Sequence, residues 1–571
     1  MESEVSGEAA SSHGPFFAEA CKSPSMPYHS SYVTYYHFPF LTLGNLSQLP
    51  THEVQFLEIS GSLHLPCQPI LLEFVRQYFL HVHPSLPILN EGDFWDMYLQ
   101  TSNARIPGQR ISLLLFQAML YSCCNLISHK KLNALGLSNM RQARGSSSID
   151  VSRAALLLSS WGVVPGRPMH KSSHVPWLSI AIQYAKDAEA DRYDAYGDDM
   201  EKQATLKRLW WCCIIQDHLF SLNLRRVPHI TSRHFDFEQS ATLTFSDLSN
   251  ETYRSKVHEP ETKAQLARIL ELLVELCVLL TEALECVFPV DGKVCRGGAR
   301  IEGKTQIHSW KAALKRWHKE AKTRLPQLNQ AYADRHNAQN DSVVLFAALL
   351  TISSTIVLSH YELLRLATMS AESTFDNILL NDNRLQVQNA SLGTTGCLEK
   401  LLRLRLARCL PVSAIACSTT KHLTLKRHCL RILNKAMDIH KLHYEGVDWV
   451  GDTIQHIVSL MRIEYANIVT QLRLKNPQPG TVVNDCLKLI IMRPSWYLRV
   501  ALAFDVSLST GRLPKYDVLR RFSQDSVAKG AAHDEDSNAT MEAGRSANCS
   551  NKVAETKAYS DNKATVGSFS V

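Results

Sequence analysis

The stretch KRLWWCCIIQDHLFSLNLRRVPHI, residues 207–230, most constrains what this chain can fold into. At 3.6 residues per turn, Leu206, Leu209, Trp210, Cys213, Asp217, Phe220 and Leu224 fall on one face. Trp211, Ile215, Leu219 and Leu222 line the neighbouring one. A helix apolar on most sides has to be enclosed by other helices. The paired cysteines then act as small packing residues and the paired tryptophans as large ones. Asp217 falls on the buried stripe, where an unpaired carboxylate is costly. Arg225 and Arg226, two turns on, are the local partners on offer. The plainer reading is a pin holding the helix to the loop that follows; a ligand-contacting acid is the alternative.

The same periodicity runs from about Leu63 to Leu508. It is clear in QPILLEFVRQYFLHVH, RISLLLFQAMLYSCCNLI, SRAALLLSSW, WLSIAIQYAKDAEADR and AQLARILELLVELCVLLTEALECVF. Pro84, Pro87, Pro107-Gly108, Pro165-Gly166 and Pro228 separate these segments. No period-2 strands recur at regular spacing and no fixed repeat is apparent. The expectation is an all-α chain: a tail or linker over 1–61, a helical core over 62–335, a C-terminal helical part of the same unit over 336–510, and a mostly disordered tail over 511–571. VVLFAALLTISSTIVLS, residues 343–359, carries no charge but falls just short of the ~20 residues a membrane span needs. It reads as a buried core helix.

Several function classes are disfavoured. Fifteen cysteines are scattered through apolar stretches, which suits a reducing compartment better than a disulfide framework. The N-terminus is acidic and has no apolar run of the kind a signal peptide carries. No C-x-x-C is present, and HEVQF at 52–56 has phenylalanine where a second zinc-binding histidine would stand. Phosphate-cradling glycine loops, nucleophile elbows and kinase motifs are missing. No catalytic residue or metal ligand is therefore assigned. One segment is strongly charged: Cys397 to His443 holds ten basic residues against two acids, a larger excess than the +7 of the entire chain. Arg403, Arg405 and Arg408, interleaved with leucines, form a candidate basic patch. A solvated helix face is the plainer reading, because the stacking aromatics of a single-strand binder are absent.

The order YFLHVHPSLPIL, ALLLSSW, PWLSIAIQYAKDAEADR and KRLWWCCIIQDHLFSLNLRRVPHI resembles the middle homology region of fungal-specific transcription factors. The residues that carry the likeness are Tyr78, Phe79, His83, Pro84, Pro87, Trp161, Trp177, Arg208, Trp210, Trp211, Asp217 and Arg226. His218 stands where the family usually has arginine, and Arg225 and Val227 depart from its Gly-Arg-Pro-like turn. The likeness is strong over roughly 70–240 and generic beyond about 330. It implies a nuclear transcription regulator acting through an all-helical regulatory domain, with other regulators, a small-molecule effector or a second copy as partners and no membrane. The family's six-cysteine zinc cluster is not matched, since residues 1–66 hold only Cys21. The expectation is thus no cofactor in this chain, zinc only with an upstream cluster, and DNA reached through that cluster or through partner proteins. The basic, leucine-rich stretch 384–425 reads either as an insertion or as intron sequence translated by a faulty gene model. A small-molecule-binding helical enzyme, or a membrane-associated protein using 343–359, is the rival reading.

Overall fold

The computed structural model describes residues 32–42, 50–59, 61, 63–99, 110–124, 147–161, 174–224, 227–287, 302–324 and 427–441. It adds scattered positions between 354 and 513. All of them belong to the first of two units, Met1–Tyr516 and Asp517–Val571. The stretches 343–359 and 511–571 lie almost wholly outside the described residues, as do Arg405, Arg408 and most of 384–425.

The fold is all-α. Its helices are α1 (Thr51–Ile59), α2 (Gln68–His81), α3 (Glu91–Leu99), α4 (Leu113–Ser122), α5 (Ser148–Trp161), α6 (His174–Asp187) and α7 (Met200–Leu224). A short α8 (Phe245–Leu248) follows, then α9 (Pro260–Val287), α10 (Glu302–Arg324) and α11 (Arg427–Lys441). Their starts obey local chemistry. The side chains of Asn90, Ser112, Ser147 and Asp199 accept hydrogen bonds from first-turn amides of α3, α4, α5 and α7. Pro69 opens α2, where its missing N–H does no harm. Among the described residues no helix is long and apolar enough to cross a membrane.

The core forms where α5 packs on α4 and α6, and where α7 packs on α5, α6 and α9. Trp210, Trp211, Cys212, Cys213, Ile214 and Ile215 are all fully buried. The enclosure expected of this helix is therefore present. Burying a large apolar side chain contributes roughly 1.5–3 kcal/mol. The two tryptophans differ in what they hold. The Trp211 indole N–H lies 3.2 Å from both the Tyr193 hydroxyl and the Ala241 carbonyl. Trp210 packs edge-on against Phe235, ring centroids 5.8 Å apart. Together they clamp the 231–241 segment onto α7.

The stretch expected to be a tail, 1–61, contains regular structure. Strand β1 (Tyr32–Thr34) pairs antiparallel with β3 (His64–Pro66), and β2 (Leu41–Thr42) pairs parallel with β4 (Ile111–Ser112). Phe38, Phe40 and Leu41 are buried, and the Phe40 ring meets Tyr98 at 5.0 Å and Phe116 at 5.3 Å. Among the described residues, regular structure is thus present from Tyr32 on, inside the stretch expected to be a tail. The apolar residues of HFPFL anchor it, and strands of two or three residues are too short to show a period.

Candidate functional site

The loop between α2 and α3 is set by its prolines. Helix α2 closes with the Val82 amide donating to Tyr78 O. Pro84 and Pro87 then keep the backbone from continuing as helix. Carbonyls in such a segment have no helix or sheet partner, yet buried ones require a donor. Arg208 on α7 supplies it. Its Nη1 donates to Leu89 O at 3.0 Å and reaches Pro87 O at 3.5 Å, while Nη2 lies 3.4 Å from Asp247 O. The same Nη1 meets Glu251 Oε1 at 2.5 Å. Lys207 beside it grips both carboxylate oxygens of Asp247 at 2.9 Å.

Around that contact lies a cluster of five ionisable side chains, all buried: His83, Glu91, Arg208, Glu251 and Lys263. Lys263 Nζ sits 2.5 Å from Glu91 Oε2, 3.2 Å from Glu251 Oε2 and 3.3 Å from His83 Nδ1. Glu91 Oε1 also accepts from the Trp95 indole at 3.1 Å and the Ser255 hydroxyl at 2.7 Å. Two carboxylates thus face one guanidinium and one ammonium, with the imidazole neutral between them. This pairing offsets a desolvation penalty that lone charges could not bear.

The titration behaviour follows. Burial, with Lys263 adding to it, pulls His83 down to about 4. Its Nε2 lies 2.9 Å from Leu89 O. The network therefore assigns a neutral ring donating through Nε2 and accepting the Lys263 proton at Nδ1. Burial alone would raise Glu251, but Arg208, His83 and Lys263 overturn this and hold the carboxyl at about 2.

His83, Glu91 and Glu251 bring one ligand atom each to within 4.8 Å of one another, the spacing of a metal site. The Lys263 ammonium contacts all three. It stands where a cation would, so a divalent ion fits only if Lys263 withdraws. The cluster is a charge-balanced joint between the α2–α3 loop, α7, the 244–251 corner and the start of α9.

The second feature is the Asp217 carboxylate. Its Oδ1 meets His229 Nδ1 at 2.8 Å and its Oδ2 accepts from the Ile230 amide at 2.7 Å. The helix is pinned to its following loop, but through His229 and Ile230. Arg225 and Arg226, the partners expected from spacing, lie outside the described residues. The thiols beside it are packing groups: burial pushes Cys212 up to about 12 and raises Cys213.

Among the residues that carried the resemblance, the structure gathers His83, Pro84, Pro87 and Arg208 at the joint, with Tyr78 and Phe79 packed beneath. The Phe79 and His83 rings lie 5.2 Å apart. Trp177 is half-buried on α6, and Trp161 closes α5 with its side chain outside the described set. Arg403 is exposed. Glu91, Glu251 and Lys263 escaped the sequence reading. Each looks like an ordinary polar residue, Glu91 and Lys263 near a helix start and Glu251 in a turn, and its partners stand far away in the chain.

Residues 75–319 match the model of the fungal specific transcription factor domain. Over that stretch the chain is similar to this family. The matched stretch contains every member of the charge cluster and the Asp217 pin. Curated relatives agree with it. A transcription factor of Fusarium pseudograminearum (strain CS3096) is 24% identical over 44% of this chain and 30% of its own length. Cutinase transcription factor 1 beta of Fusarium vanettenii is 26% identical over 42% of this chain and 29% of its own. Transcription factor cpaR of Aspergillus oryzae is 24% identical over 43% and 44%. The chain thus spans less than half the length of these relatives. No solved structure matches the chain.

Proposed function

We propose that this chain is a transcription regulator of the nucleus, acting through its fungal specific transcription factor domain. The observation that carries the reading is the match over 75–319, which encloses the whole joint around Arg208 and Glu251. In this reading the domain tunes the output of a DNA-reading module, supplied by a zinc cluster or by a partner regulator. The joint holds the α2–α3 loop rigidly against α7 and α9, and gives an effector or a second protein a fixed surface to act on. DNA, other regulators and a small-molecule effector are the partners this role requires, with a second copy of the chain as a further candidate.

The test is to fuse the full chain to a heterologous DNA-binding module and measure a reporter carrying that module's site. Reporter output is expected to change, upward or downward, against the module alone. It should return to the module-alone level when Arg208→Met loosens the joint. An expressed, nuclear fusion whose output equals that of the bare module overturns the proposal.

A further inference from the structure

The pin at Asp217 extends to a third residue on α6. Ser179 on α6 is exposed, and its Oγ lies 3.3 Å from His229 Nε2. His229 is 43% exposed, while Asp217 is 1% exposed on its side chain. A buried carboxylate, an imidazole at the boundary and an outward hydroxyl therefore stand in line, with separations of 2.8 and 3.3 Å. This is the arrangement of an activated nucleophile: hydroxyl and base within reach, and the base oriented by a third group. The Asp217 carboxylate can only accept, so His229 Nδ1 carries the proton and Nε2 presents its lone pair to the Ser179 hydroxyl. A separation of 3.3 Å is loose, as such contacts often are before a substrate closes them.

We propose that Ser179 is a nucleophile that takes an acyl group from small esters, with His229 as its general base and Asp217 as the positioning residue. The Ser179 Oγ forms a bond to the ester carbonyl carbon while its proton passes to His229 Nε2. Collapse of the tetrahedral adduct breaks the bond to the alcohol, which leaves with that proton. Water then attacks the acyl-serine with His229 again as base, releasing the carboxylic acid and restoring the hydroxyl. No oxidant, metal or cofactor is required.

The full chain, Ser179→Ala and His229→Gln are each incubated with a biotinylated fluorophosphonate, and adducts are mapped by peptide mass spectrometry. Separately, p-nitrophenyl acetate turnover is followed by p-nitrophenol release. Glutamine at 229 removes the base, and the Ile230 amide bond to Asp217 remains to hold the pin; circular dichroism checks that both variants fold. The expected result is an adduct on the peptide bearing Ser179, absent from Ser179→Ala and formed about 100-fold more slowly in His229→Gln. Release of p-nitrophenol should exceed that of Ser179→Ala. No adduct at Ser179, wild-type labelling in His229→Gln, or release equal to Ser179→Ala would each leave the hydroxyl as a structural hydrogen bond and overturn the proposal.

Discussion

Lowering the pH from 7 to 5, in the native chain and in His83→Gln, isolates the cost of holding one imidazole neutral inside the charge cluster. Burial and the neighbouring Lys263 keep His83 at about 4. The same ring in the unfolded chain titrates near about 6.5. The folded value is the lower one, so the unfolded chain takes up this proton first as the pH falls. Stability is complete above about 6.5 and is lost progressively toward about 4. For one such group the linkage amounts to about 2 kcal/mol between pH 7 and pH 5. Glu251 acts in the same direction in a lower window. Its carboxyl is held at about 2 against an ordinary 4.5, so its contribution is present above 4.5 and disappears between there and 2. Working at pH 5 and above therefore separates the two.

Glutamine at 83 offers an amide N–H to Leu89 O and a carbonyl oxygen to Lys263, but it does not titrate. Urea unfolding of the full chain at pH 7, 6 and 5, followed by tryptophan fluorescence, measures the difference. His218, held low by its own burial, affects both proteins alike and cancels. The native chain should lose about 2 kcal/mol more than His83→Gln over this range. Equal pH slopes for the two proteins would refute the neutral, lysine-facing imidazole on which the cluster's charge balance rests.

Arg208→Met takes the nearer of two cations from the buried Glu251 carboxylate, leaving Lys263 at 3.2 Å, and should cost about 3–5 kcal/mol in urea unfolding, with part recovered in the double variant carrying Glu251→Gln. Asp217→Leu removes the acceptor of the buried Ile230 amide. It should cost about 1–3 kcal/mol and speed limited proteolysis within 227–240. Gly92→Ala would set a methyl 2.7–2.8 Å from the Arg254 side chain, which bridges Asp93 and Asp96. Thermal unfolding should report a loss of about 1–3 kcal/mol.

What could be read beforehand was local. The apolar periodicity of 207–224 implied an enclosed helix, and all of 209–215 is buried. The position of Asp217 on that stripe implied an internal pin. Spacing along a helix pointed to Arg225 and Arg226, which lie outside the described residues; the partners seen, His229 and the Ile230 amide, lie beyond the helix, where its period says nothing. The charge cluster was half visible. His83, Pro87 and Arg208 stood out through the resemblance, but their contact spans 119 residues between Arg208 and Leu89. Glu91 and Lys263 are 172 residues apart. No periodicity encodes a pairing at that range. The early strands were missed for the opposite reason, since pieces of two or three residues carry too little pattern.

The separation between Glu91 and Lys263 also has a consequence in time. A ribosome adding roughly 5–20 residues per second needs on the order of ten to thirty seconds to travel from one to the other. Throughout that interval the nascent chain holds a carboxylate destined for the interior with no ammonium yet made to receive it. Glu91 stays hydrated until α9 begins to emerge, so α2 and α3 cannot close their core early. The half of the domain synthesised first waits for the half synthesised last, and synthesis is the period in which its apolar faces are most exposed to other chains.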